Sequence, residues 1–127
     1  MTSRTPYKDI RVVDISHVIA GPYCAMTLAR MGADVVKVEA IDGDFARNVG
    51  IQYPGKHTDL SIAANLGKRS IAVDLKSKEG GDILKKLVST ADVFIENFRP
   101  GVADKLGFSY EEVAALNDRI IYLSSSG

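Results

Sequence analysis

Apolar residues along this chain alternate between short β-branched runs and stretches where they recur every three or four positions. Ile10–Ile15 (Ile-Arg-Val-Val-Asp-Ile) is a run of the first kind and predicts a buried strand. Gly21 and Pro22 then open a helix, since a proline at the first helical turn loses no needed N–H. Cys24, Leu28 and Met31 carry the helical spacing, and Gly32 stops it. Ala33–Glu39 predicts a second strand, parallel to the first through a right-handed crossover. Ser70–Leu75 predicts a third. Ser77 caps the next helix, with Glu79 in its first turn. Ile83, Leu84, Leu87 and Val88 give that helix one apolar face, and Lys85 and Lys86 face water. Asp92–Glu96 predicts a fourth strand, and Asn97–Gly101 a turn into a short helix ending near Gly107. Ser109-Tyr-Glu-Glu112 is a capping box, with Val113 and Leu116 inward, before a fifth strand at Arg119–Leu123.

Strand and helix alternate throughout, which predicts the α/β class: a Rossmann-like open, mostly parallel sheet with flanking helices. Residues 1–9 form a lead-in, and residues 10–127 one incomplete domain, cut short after the fifth strand where a covering helix is expected. Two stretches stand apart from the periodic pattern. Ile41–Asp59 carries Gly43, Gly50, Pro54 and Gly55 with no period, predicting a long functional or mobile loop that an Asp44–Arg47 contact orders. Leu60–Leu66 predicts a short helix ended by Gly67. Ligands of such sheets sit beyond the carboxyl ends of the strands, directing attention to Ser16–Pro22 and the chain after Glu39.

Charge and composition narrow the function. Sixteen basic and sixteen acidic side chains cancel in 127 residues, so no global field favours nucleic acid or anionic lipid. The single cysteine, Cys24, reads as a small core hydrophobe and predicts a reducing, cytoplasmic setting. No apolar run is long enough to span a membrane. His17 and His57 are too isolated for a zinc site, so no metal is expected. An NAD site requires a Gly-x-Gly-x-x-Gly turn after the first strand; Ser16–Pro22 has one glycine, and NAD is not expected.

Six motifs in order carry a more specific signal. They are Asp14–Pro22, Gly32–Glu39, Gly43–Arg47, Lys68–Lys76, Ala91–Gly101 and Lys105–Phe108. Together they closely resemble the amino-terminal segment of the family III CoA-transferases, from about Ile10 to Gly127. The α-methylacyl-CoA racemases share this framework, while the Glu96-Asn-Phe98 spelling is more similar to the transferases.

The resemblance implies a Rossmann-like segment that binds coenzyme A. It also implies a catalytic aspartate that lies downstream of Ser124–Gly127, so no catalytic residue is expected in this chain. Such a carboxylate is a covalent nucleophile that divides one transfer into easier steps. Asp14, Asp44, Asp74 and Glu96 do not match it and read as structural groups at strand ends and turns. His17, Ile19 and Ala20 match positions near the active site. Ile19 replaces a glutamine of formyl-CoA transferase, which argues against formyl or oxalyl specificity, and Ala40 replaces an arginine. Val73, Asp74, Leu75 and Lys76 match a stretch bordering the nucleotide, with Lys76 as a compact charge for a phosphate. Asn97 and Phe98 match an adenine pocket, one offering directional hydrogen bonds and the other an apolar face. Arg99 and Lys105 add positive charge. Plainer roles stay open: His17 as a turn residue, Phe98 as core, and Lys76, Arg99 and Lys105 as solvated surface.

The expected function is therefore the amino-terminal part of an enzyme moving CoA between an acyl-CoA and a carboxylic acid. The complete protein is expected to form an intertwined homodimer, without metal or redox cofactor, and the isolated chain to be inactive. A racemase-like enzyme and a non-catalytic module binding a nucleotide or partner protein are the alternatives.

Overall fold

The computed structural model describes residues 5–126. In chain order its elements are β1 (Arg11–Asp14), α1 (Ala20–Arg30), β2 (Asp34–Glu39), a 3-10 turn (Phe45–Asn48) and the hairpin β3 (Gln52–Tyr53) and β4 (His57–Thr58). There follow α2 (Asp59–Ala63), β5 (Arg69–Ala72), α3 (Lys78–Val88), β6 (Val93–Glu96), α4 (Val102–Leu106), α5 (Tyr110–Leu116) and β7 (Ile121–Ser124). Five strands make one sheet in the order β5-β2-β1-β6-β7, with every pairing parallel. The predicted class and the parallel pairing of the first two strands are both present.

Why the strands read as near-continuous apolar runs is visible in the packing. Successive side chains point to opposite faces, and helices cover both faces, so apolar residues dominate both sets and a polar one needs a partner. Val13, Val38 and Phe94 face one way, into a core with Leu84 and Val88 of α3, Phe108, and Val113 of α5. Val12, Val35 and Ile95 face the other way, against Ala25 of α1. Ser77 caps α3 by accepting from Gly80 N, and Ser109 caps α5 in a reciprocal box with Glu112.

Several elements differ from the sequence expectation. The third strand is Arg69–Ala72 rather than Ser70–Leu75; it lies at the sheet edge and all four residues are exposed. Met31, Ile83 and Leu116 are exposed rather than inward, because each lies at the rim of its helix face or at a helix end. Gly21, Pro22, Ala25 and Met26 form the buried stripe of α1, with Cys24 half-buried beside it. Residues 41–59 contain the 3-10 turn and hairpin. The expected Asp44–Arg47 contact is a backbone one, Arg47 N donating to Asp44 O at 2.9 Å, while the side chains pair elsewhere: Arg47 with Glu39 at 2.6 Å and Asp44 with Lys37 at 2.9 Å. No helix among the described residues is long and apolar enough to cross a membrane.

Candidate functional site: the crevice between β1 and β6

In the middle of the sheet, β1 and β6 lie side by side and their continuations part. After β1 the chain enters α1 on one face; after β6 it enters α4 and α5, whose Leu106 and Val113 pack on the other. A parallel sheet opens a crevice at such a switch point, beyond the strands' carboxyl ends. A cleft of about 490 Å³ opens there. His17 and Phe98 form one wall and Val73–Lys76 the other, with Val38 and Ile41 between. The His17 and Phe98 rings are 4.9 Å apart at a tilt of 55°.

Each wall has a local cause. Phe98 is turned by Glu96, whose Oε2 accepts from Phe98 N at 2.8 Å. Phe98 also packs on the α3 side of the core, so it is both cleft wall and core. Asp74 forms an Asx turn, its Oδ1 accepting from Lys76 N at 3.0 Å, while Asp74 O accepts from Ser77 Oγ at 2.7 Å. This turn leaves Lys76 exposed at the cleft mouth. Asn97 faces away from the cleft: its Oδ1 accepts from His17 N at 2.7 Å and its Nδ2 donates to His17 O at 2.8 Å. The directional amide expected at a ligand instead clamps the backbone that carries His17. Burial pushes the His17 imidazole below its ordinary range, only partly opposed by the Asp44 charge, so the ring is neutral near pH 7.

The structure thus brings His17, Val73, Asp74, Leu75, Lys76 and Phe98 into one cleft, and leaves other expected residues outside it. Ile19 and Ala20 are exposed at the head of α1. Lys105 lies in an adjoining groove of about 740 Å³ that shares Leu75, Lys76 and Leu106 with the cleft and also carries Lys78 and Lys85. Arg99 lines a separate hollow with Tyr110 and Ser124.

Sequence reasoning missed the buried charges behind the cleft. Lys37 is 2% exposed in the second strand, where its Nζ donates to Ser16 O at 2.5 Å and to Asp44 Oδ2 at 2.9 Å. Beside it, Lys68 Nζ pairs with Asp14 at 2.7 Å and donates to Pro22 O and Asn65 Oδ1. Burial pushes the Glu39 carboxyl up, yet the hydrogen bonds from Arg47, Asp44 N and Ser70 outweigh it and hold the group at about 2. The signal available was a lysine inside Val-Val-Lys-Val-Glu, a position that two covered faces make costly unless paired. Asp14, Asp44 and Glu39 each hold a cation, Glu96 caps Phe98 N and Asp74 closes a turn, so these five carboxylates have structural partners. No group of three potential metal ligands occurs among the described residues.

What the cleft offers is an apolar slot with a ring on one side, suited to a flat heterocycle, and a mouth where Lys76 stands with the exposed carboxylates of Asp42 and Asp74. Formyl-CoA:oxalate CoA-transferase of Streptomyces coelicolor is 42% identical over 118 residues, covering 93% of this chain and 29% of that protein. Acetyl-CoA:oxalate CoA-transferase of Acetobacter aceti is 43% identical over 123 residues, covering 96% and 31%. Human succinyl-CoA:glutarate CoA-transferase is 36% identical, covering 100% and 29%. The crystal structure of a CAIB/BAIF family protein from Brucella suis superposes with a TM-score of 0.90 at 41% identity, covering 96% of this chain and 33% of that one. The chain therefore spans about 30% of the length of the curated relatives it matches. The CoA-transferase family III profile matches residues 7–127, and the chain belongs to that family.

Proposed function

We propose that this chain is the amino-terminal, CoA-binding part of an acyl-CoA:carboxylate CoA-transferase whose nucleophilic aspartate lies outside residues 1–127. The observation that carries the reading is the crevice at the β1/β6 switch point, where His17, Phe98 and Val73–Lys76 converge on one cleft. In the proposed reaction the aspartate attacks the acyl thioester, CoA thiolate leaves, and a mixed anhydride forms. The thiolate then attacks the aspartyl carbonyl, freeing the first carboxylic acid and leaving an aspartyl thioester. The acceptor carboxylate displaces the thiolate to give a second anhydride, which the thiolate opens at the acceptor's acyl carbon, regenerating the aspartate.

Within this scheme the present residues hold and orient CoA. Phe98 provides the apolar face for the base, Lys76 and the nearby Lys105 meet phosphate charge, and the neutral His17 lies in the wall nearest the strand ends. Arg99, Ile19 and Ala20 are assigned to the surrounding surface, where they meet the complete enzyme's remaining chain or its second subunit in an intertwined homodimer. A thermal shift separates this reading from a partner-binding module. CoA at a hundred times its Kd raises the melting temperature by on the order of 10 °C, and NAD leaves it unchanged. A folded sample that ignores CoA refutes the binding assignment. Acyl transfer by residues 1–127 alone refutes the location of the nucleophile.

A further inference from the structure

The turn that carries His17 into the cleft has an unfavourable backbone. Val18 has φ 64°, a left-handed conformation that a β-branched residue adopts only when its surroundings impose it. Three groups do so here. Asn97 takes both backbone polar groups of His17. Asp44 accepts from Val18 N through both carboxylate oxygens at 3.1 Å. Lys37 donates to Ser16 O at 2.5 Å and to the same Asp44 carboxylate at 2.9 Å. Lys37 and Asp44 are each 2% exposed, so the pair is shielded from bulk solvent. Asp44 is itself fixed: its N donates to Glu39 Oε2, and its Oδ1 accepts from Ala46 N at the start of the 3-10 turn.

We propose that the buried Lys37–Asp44 pair is a positioning device that holds Val18 left-handed and thereby presents His17 to the CoA cleft. It rests on the CoA reading of that cleft for its ligand, and on the turn geometry alone for the clamp. A pair serving only stability is replaceable by neutral side chains of similar volume, because uncharged substitutes for buried ion pairs are often tolerated. A positioning pair is not replaceable in this way, since no neutral substitute accepts from Val18 N with two oxygens while tethering Ser16 O.

The test uses Lys37→Met/Asp44→Asn, which leaves no unpaired charge, with CoA affinity by calorimetry and amide hydrogen exchange as readouts. The expected result is a folded double variant with at least tenfold weaker CoA binding and at least tenfold faster exchange at Val18. Adding Val18→Gly, which adopts φ 64° without strain, then restores most of the lost affinity. Affinity within twofold of wild type in the folded double variant overturns the proposal, as does failure of Val18→Gly to restore any of a loss. Should the variants not fold, the wild-type Val18 amide decides: exchange at the rate of an open loop overturns the clamp, and core-like protection supports it. A wild-type chain that does not bind CoA sinks the proposed function, while this exchange measurement still judges the clamp.

Discussion

Two adjacent glycines in α3 are predicted to respond to alanine with opposite signs, and the structure supplies the reason. On helix propensity alone, Gly80→Ala and Gly81→Ala each stabilise by about 0.5–1 kcal/mol. A Cβ at Gly81 meets nothing within 4 Å, so that gain is kept whole. A Cβ at Gly80 falls 1.9 Å from Asp74 O and 2.9 Å from Val73 Cγ1. Asp74 O cannot swing aside, because it accepts from both Ser77 Oγ and Ser77 N at the α3 cap. Nor can Val73, which is buried in the core. Relieving the contact requires α3 to move off the sheet, an overpacking cost of about 1–3 kcal/mol that outweighs the propensity gain. Urea titration should therefore place Gly81→Ala above wild type and Gly80→Ala about 1–2 kcal/mol below it. Gly80→Ala should also weaken CoA binding, because moving α3 draws Ser77 away from Asp74 O, the bond that fixes the Val73–Lys76 wall of the cleft. A Gly80→Ala chain as stable as Gly81→Ala would show that the helix does not sit against Asp74 as described.

Further outcomes follow from the same contacts. Phe98→Ala weakens CoA binding by about 1–3 kcal/mol if a base stacks there, and calorimetry returning an unchanged affinity assigns Phe98 to the core alone. Lys76→Ala lowers affinity with a reduced salt dependence, and a slope equal to wild type's removes Lys76 from the phosphates. Lys68→Met strands the Asp14 carboxylate, which is 0% exposed, and costs about 3–5 kcal/mol in chemical denaturation, where a loss under 1 kcal/mol would count against the pair. Glu39 has its carboxyl held at about 2, below the ordinary 4.5. Its contribution is therefore complete above about 4.5 and disappears as pH falls from there through about 2. Glu39→Gln should flatten the stability–pH curve across that acid window and leave its shape above pH 6 unchanged.

The fold was legible in the sequence wherever local chemistry and tertiary environment agreed. Strands covered on both faces read as contiguous apolar runs, and Ser77 and Ser109 announced their helices because the capping residue and its partner are three positions apart. Residues 41–59 gave no such signal. Their order comes from bonds that skip along the chain, such as Thr58 Oγ1 donating to Ala46 O at 2.6 Å and Val18 N reaching Asp44. Edge position is equally invisible to periodicity: Ser-Ile-Ala-Val looks like a central strand, yet β5 has one neighbour and its side chains are exposed.

The site was legible in outline and not in direction. Asn97, Phe98 and Arg99 are consecutive, and the structure sends them three ways: to the His17 backbone, into the cleft, and into the hollow beside Ser124. A motif identifies such residues together but does not say which of them faces a ligand. The opposite holds for Lys37, which no motif singled out for chemistry. In a strand with one wet face, a lysine among valines simply points to water. Here the strand lies between β1 and β5 with its apolar side chains in cores on both faces, so the ammonium must find acceptors inside the protein. The acceptors it reaches are a carboxylate seven residues later and the carbonyl of the turn after β1. A buried charge bonded both to a carboxylate and to the backbone of the turn that carries His17 does more than satisfy itself: in the proposed clamp it makes the conformation of that turn depend on the pair.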